Sequence, residues 1–300
     1  MRQRIRASST ISFITTNLQQ PSSFMRIKLS LLGLLTAATA LAQTTYKPKL
    51  IQGLVKEYNQ DITLKVSNPN QNYSATIHVE DQYEVTSVSK DSVIINYMVT
   101  KIDTQGSKAA EESANASFGL MLNKPLKASY NPDGSFRHLL NADELISGTS
   151  GNAKILAEQI FTDNAYAIKQ KSSLMWMLMG RTINTGMTED FLDENINMKR
   201  EFTVSPDGRQ VDVKIASNMS EEETKKFLKA MLEKAGEEVA GQSEEIFNTL
   251  KSMGMADINS TGAAHIYVGD DDWVKSGEST LKMKMMGNDM ETTIKYTPKQ

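Results

Sequence analysis

The chain has three histidines, His78, His138 and His265, and no cysteine. They are far apart in sequence. None has a second histidine or a thiolate at the spacing that a metal site needs. His78-Val79-Glu80 matches a deaminase fragment in letters only, because the cysteine ligands are absent. Ser87-Val88-Ser89-Lys90 matches the Ser-x-x-Lys pattern of penicillin-recognising enzymes. That chemistry needs the serine at a helix start and a downstream Lys-Thr-Gly. Here the serine ends a strand-like run and no Lys-Thr-Gly follows, so the match is rejected. No Gly-x-Ser-x-Gly, His-Glu-x-x-His or glycine-rich phosphate loop occurs. Asp270-Asp271-Asp272, with Glu278 beyond, offers oxygens to Ca²⁺. Its spacing is not that of an EF-hand, and a solvated hairpin loop is the favoured reading.

Methionine is the compositional oddity, with seventeen against nine Phe and nine Tyr. Met175, Trp176, Met177 and Met179 form one group, and Met283 and Met285 another. Thioethers beside an indole suit Cu(I), but no histidine is close in sequence to complete a site. Methionine also fills irregular cores and lines surfaces that accept varied apolar ligands. Core packing is the stronger reading. The six residues are the candidates for a ligand groove, with no metal and no cofactor expected.

The elements that would position these residues are mostly strands. Ile62, Leu64 and Val66 alternate with polar residues, as do Val93, Ile95, Tyr97 and Val99. Ala75–His78, Tyr83–Val88, Ser117–Leu122 and Leu126–Tyr130 also read as strands. Asn131-Pro132-Asp133-Gly134 and Ser205-Pro206-Asp207-Gly208 are turn signals between strand-like runs. Between them, Asn152–Lys171 carries a helical stripe, and Ser172–Ile183 is apolar enough to be buried in any conformation. Ser220-Glu221-Glu222-Glu223 is a capping box ahead of an amphipathic helix. Ser243–Met253 predicts a second helix. Ala263–Val268, Ser279–Met286 and Met290–Tyr296 return to strands, the last two joined at Gly287-Asn288-Asp289. The order of strands, helices, a hairpin, helices and strands predicts an α+β fold. It would be a curved antiparallel β-sheet, half-barrel-like, with helices packed on one face.

Met25–Ala42 has Arg26 and Lys28, an apolar run and a small-x-small end at Ala40-Leu41-Ala42, the three parts of a secretory signal peptide. The run is short of the roughly 20 apolar residues that span a bilayer, so no transmembrane anchor is expected after cleavage. Translation is expected to start at Met25, with residues 1–24 a spurious extension, the rival reading being an Arg- and Ser-rich amphipathic transit peptide, and with residues 43–300 a single domain. That domain holds 28 Lys+Arg against 36 Asp+Glu, a net charge of −8. No basic cluster provides the electrostatic footprint of nucleic-acid binding.

A signal peptide ahead of strand runs, and a Pro-Asp-Gly hairpin feeding an Asn141-Ala142-Asp143-Glu144 helix start, are together similar to secreted envelope families of Gram-negative bacteria known as domains of unknown function. More distantly, the layout over most of residues 45–297 resembles the periplasmic lipoprotein-carrier half-barrels. That resemblance implies a curved sheet and covering helices around an apolar groove for acyl chains. It transfers no individual residue. The expectation is an exported, periplasmic or secreted, non-enzymatic protein that binds a lipid, another apolar ligand or an envelope partner. The alternatives are an interaction module with no small ligand and, less favoured, a hydrolase using an acid pair such as Asp270 and Glu278.

Overall fold

The computed structural model describes residues 43–68, 71–106, 111, 114–115, 118–193, 196–233, 243–285 and 287–299. The expected signal peptide and extension, residues 1–42, lie outside the described residues. In chain order the strands are β1 (Gln43–Tyr46), β2 (Val55–Asn68), β3 (Gln71–Val88), β4 (Val93–Gln105), β5 (Leu126–Tyr130), β6 (Phe136–Leu139) and β7 (Arg181–Asn184). They continue as β8 (Thr188–Asp193), β9 (Ile196–Val204), β10 (Gln210–Asn218), β11 (Asn259–Val268), β12 (Val274–Met285) and β13 (Asn288–Pro298). The helices are α1 (Ala142–Ser147), α2 (Gly151–Ile160), α3 (Asp163–Ser172), α4 (Glu221–Glu233) and α5 (Ser243–Ser252).

Eleven strands form one curved, open antiparallel sheet in the order β6-β5-β4-β3-β2-β13-β12-β11-β10-β9-β8. Two meanders, β2–β6 and β8–β13, are joined where β13 pairs with β2, in a register that sets Met290 against Val66 and Ile294 against Ile62. The small pair β1–β7 stands apart from it. Strict alternation in β9, buried at every second residue, is the two-residue period of a sheet with one packed face. Register shifts between Glu80 and Asp81 and between Val85 and Ser87 interrupt β3–β4 pairing, and such bulges increase local twist and bend long strands.

Three local expectations change. Ala75–His78 and Tyr83–Val88 are parts of one strand, β3, because the polar residues between them continue the ladder. Within Ser117–Leu122, Gly119–Met121 is a 3-10 turn and not a strand. The Asn152–Lys171 stripe is two helices. Thr162 starts α3 by accepting a hydrogen bond from Ala165 N at 3.1 Å, which ends α2 at Ile160.

Buried apolar side chains form a main cluster and a smaller second one. The main cluster joins the inner face of the sheet to the turn segment Leu174–Met179, to Tyr46 and to Ile183. The second holds Phe191, Ile196, Met198 and Ile258, with Phe227 of α4 packed against it. The two Pro-Asp-Gly turns meet the same N-terminal segment. A Cβ on Gly134 would lie 2.9 Å from Pro48 Cγ, and one on Gly208 would lie 2.8 Å from Thr44 Oγ1. Both glycines hold positive φ, 91° and 71°, so the sequence signal marks turns that also require close backbone approach. Tyr46 donates to Gly208 O at 3.2 Å, and Lys49 N to Asp271 O at 2.8 Å. This end of the sheet is therefore tied together by β1 and the segment after it.

Candidate functional site

The tied end is plugged. Met175, Trp176, Met177 and Met179 are buried in the main cluster, where they fill the space over the inner face. The Trp176 ring stacks on Tyr130, with centroids 5.0 Å apart and an interplanar angle of 11°. It meets Tyr83 edge-on at 5.5 Å and Trp273 at 6.3 Å. Gln170 of α3 donates to the Tyr130 hydroxyl at 2.6 Å. The segment is held from outside by Arg181, which donates to Met177 O at 2.8 Å and pairs with Glu189. Arg200, 2% exposed, pairs with the same carboxylate and donates to Lys171 O at the end of α3. Its guanidinium lies over Phe191 and Phe202, at 4.7 and 5.2 Å.

Beneath Trp176 the inner face carries Asp81, 1% exposed, among tyrosines. Its Oδ2 lies 3.4 Å from the Tyr296 hydroxyl, and its Oδ1 has no hydrogen-bond partner among the described residues. Burial pushes its pKa up to about 7, against the opposing pull of the Tyr296, Tyr83 and Tyr97 hydroxyls. Burial also raises Tyr83, Tyr97 and Tyr296, so these phenols stay neutral.

The opposite end of the inner face differs. There Met283 and Met285 are only partly buried, packed against the second cluster with Leu281 and Met219. Met283 pairs across the ladder with Met290, and Met290 with Val66, so one inner row is nearly all apolar and half-exposed. An open depression of about 680 Å³ at this end lies mostly on the outer face, lined chiefly by residues that alternate away from the methionine row, among them Lys65, Ser74, Thr261, Lys282, Lys284 and Glu291. Alternation along the strands puts the lysines on the outer face. There Glu291 pairs with Lys65 at 2.9 Å and Lys282 at 3.6 Å. The six methionine and tryptophan candidates thus separate: four fill the plugged end, and Met283 and Met285 stand at the open one. Met290 faces Met283 through the β12–β13 hairpin that the Gly287-Asn288-Asp289 turn signals, whereas Val66 joins them only through the β13–β2 register, a pairing distant in sequence.

The other candidates scatter. His78 bonds Asp61, and His265 bonds Asp212, each at 2.7 Å through Nδ1. The register sets both in one outer row, Asp212–His265–Glu278–Lys295–Asp61–His78, four strand steps apart. At roughly 4.8 Å per step they are far beyond sharing a ligand. His138 is exposed on β6. Ser89 closes the β3–β4 turn through Ser92. Asp271 pairs with Lys56 at 2.6 Å and Asp272 with Arg209 at 3.3 Å, so the Asp270–Asp272 run is a hairpin loop engaged with cations. Glu278 is opposite His265 on β12, away from Asp270 in the loop. Trp176 and Met283 belong to different clusters, so the thioether–indole grouping does not assemble. Among the described residues no group of three or more His, Cys, Asp or Glu is placed to hold a metal ion, and no helix is long and apolar enough to cross a membrane.

No family model and no curated protein sequence matches the chain. Solved structures align with it at low similarity. A lipovitellin chain, studied for its lipid–protein interactions, aligns at a TM-score of 0.43 and 11% identity over 84% of this chain. The present chain spans 25% of that lipovitellin chain. DynF, from the dynemicin biosynthesis pathway of Micromonospora chersina, aligns at 0.22 and 6% identity, over 85% of this chain and 84% of its own. A putative outer-membrane lipoprotein-sorting protein domain from Vibrio parahaemolyticus aligns at 0.19 and 7%, over 90% and 92%. The class is a large, curved, open antiparallel sheet with a few helices, and at these TM-scores the likenesses carry no argument about what the chain does.

Proposed function

We propose that this protein binds an apolar ligand, such as an acyl chain, on the inner face at the open end of the sheet, and that its helices cover the concave face. One observation carries the reading. Inner-face side chains are buried at the plugged end, whereas Leu64, Val66, Leu281, Met283, Met285 and Met290 stay half-buried at the other. Flexible, polarizable methionines suit an apolar ligand of variable shape. Binding without turnover is the proposed role, because His78, His265, Glu278 and the Asp270–Asp272 run are spread over loops and the outer face. Export through the Met25–Ala42 leader and work in the envelope belong to the same proposal.

Titration with a fluorescent fatty-acid analogue tests it. Met283→Glu is expected to weaken binding at least about tenfold, since a carboxylate set against an apolar ligand costs more than about 1.4 kcal/mol. Met253→Glu, at a position 64% exposed and outside both clusters, is expected to leave binding unchanged. Absence of probe binding, or equal loss in both variants, rules the site out.

A further inference from the structure

We propose that Asp81 is a proton-dependent latch: held as a neutral carboxylic acid, it keeps the aromatic plug packed, and its ionisation loosens the plugged end. The argument begins with a hydrogen count. The Tyr296 hydroxyl lies 3.0 Å from Gln60 Oε1 and 3.4 Å from Asp81 Oδ2. A phenol has one proton to give, and an ionised carboxylate is acceptor only. With Asp81 ionised, Tyr296 would face two acceptors with one proton, and the nearby Tyr83 and Tyr97 hydroxyls, which pull toward ionisation, do not reach Oδ1 in hydrogen-bonding geometry. With Asp81 protonated, its own O–H can donate to the Tyr296 oxygen while Tyr296 donates to Gln60, so each proton along Asp81–Tyr296–Gln60 has an acceptor.

Among the described residues nothing charged offsets the ionised form. The groups facing Asp81 are Tyr58 and Gln60 from β2, Tyr83 from β3, Tyr97 from β4 and Tyr296 from β13, with Tyr166 of α3 beyond them. No lysine, arginine or histidine contributes to its ionisation. A charge buried without a partner is costly, so the site must take up water or a cation, or rearrange. The rings around it are in mutual contact. Tyr83 lies 4.9 Å from Tyr97, 6.0 Å from Tyr58 and 5.5 Å from Trp176, so displacement at Asp81 is transmitted to the segment closing this end. Burial sets the ionisation near pH 7, inside the range an exported protein meets.

The two tryptophans of the chain, Trp176 and Trp273, both belong to this plug, so intrinsic tryptophan emission reports it directly. Emission of the full mature chain is expected to change with a midpoint near pH 7, and Asp81→Asn to abolish that transition while keeping the low-pH spectrum. A flat wild-type profile, or the same transition in Asp81→Asn, overturns the latch. Should Asp81→Asn fail to fold, the infrared band of protonated carboxyl groups decides on the wild type. A band that disappears through about pH 7 supports the proposal, and complete ionisation of all carboxyls by about pH 5.5 overturns it.

Discussion

Asp81 and Glu189 are both carboxyls drawn out of water, and their surroundings give them opposite pH dependences. Asp81 is raised, so the folded chain holds its proton after the unfolded chain has lost it. Its contribution to stability is full below the ordinary carboxylate pKa of about 4 and declines as pH rises through about 7. For Glu189, burial pushes upward, but the bonds and charges of Arg181 and Arg200 outweigh it and hold the group low. Its contribution is present above the ordinary carboxylate pKa and is lost as pH falls through its lowered value. Arg200 is the partner to test. Arg200→Met leaves Glu189 with Arg181 alone, removes the donor to Lys171 O and vacates the ring faces of Phe191 and Phe202. Loss of a buried arginine partner costs about 3–5 kcal/mol in full burial; with Glu189 partly solvated, about 2–3 kcal/mol is expected in urea unfolding. Arg200→Lys should recover only part of this, because an ammonium cannot form the planar fork or stack equally. A cost under about 0.5 kcal/mol for Arg200→Met would show the network to be energetically idle.

At the scale of elements, what was legible in the sequence was what is local. The Ile62-Leu64-Val66 alternation, the Leu126–Tyr130 strand and the two Pro-Asp-Gly turns all appear where the pattern places them. The capping box forms too: Ser220 N donates to Glu223 Oε2 at 2.8 Å, and Glu223 N to Ser220 Oγ at 3.3 Å. The break between α2 and α3 was hidden because Ile160 and Ala167 keep the helical period across it. Thr162-Asp163 held the signal. Thr162 caps α3, and the Asp163 carboxylate also accepts from Leu139 N at 2.7 Å, fixing α3 to β6. Thr162→Ala is expected to cost about 1 kcal/mol, the usual worth of an N-cap, and Thr162→Ser almost nothing, as read from thermal midpoints. The candidate site was half legible. Strand alternation places Met283 and Met285 on one apolar face but does not give their partial burial. Which cluster each methionine joins depends on pairing between strands more than 200 residues apart, such as β2 with β13, and no local pattern encodes that.

Across the whole molecule, the weak line should be the seam between the sheet's first and last strands. β6 and β8 are the two edges and do not pair with each other. α3 touches both. At β6 its Tyr166 ring lies 5.1 Å from Phe136 and Asp163 binds Leu139 N, and at the other edge its Lys171 carbonyl accepts from Arg200 of β9. The seam therefore rests on side-chain contacts and a few hydrogen bonds, while β2 and β13, at the centre of the sheet, share a ladder running from Asp289–Ser67 to Pro298–Tyr58. Regions with few buried bonds open at lower free energy than a continuous ladder. Native-state hydrogen exchange should show α3 and the β6 and β8 amides exchanging by local opening, well before the β2 and β13 amides, which follow global unfolding. The Asp81 latch adds a sign to this pattern. Raising pH through about 7 should speed exchange in α3 and Leu174–Met179 more than in β13, because Tyr166 and Trp176 pack beside the tyrosines around Asp81. Equal protection of α3 and β13 at every pH would show the seam to be as strong as the ladder, and the open sheet to behave mechanically as a closed one.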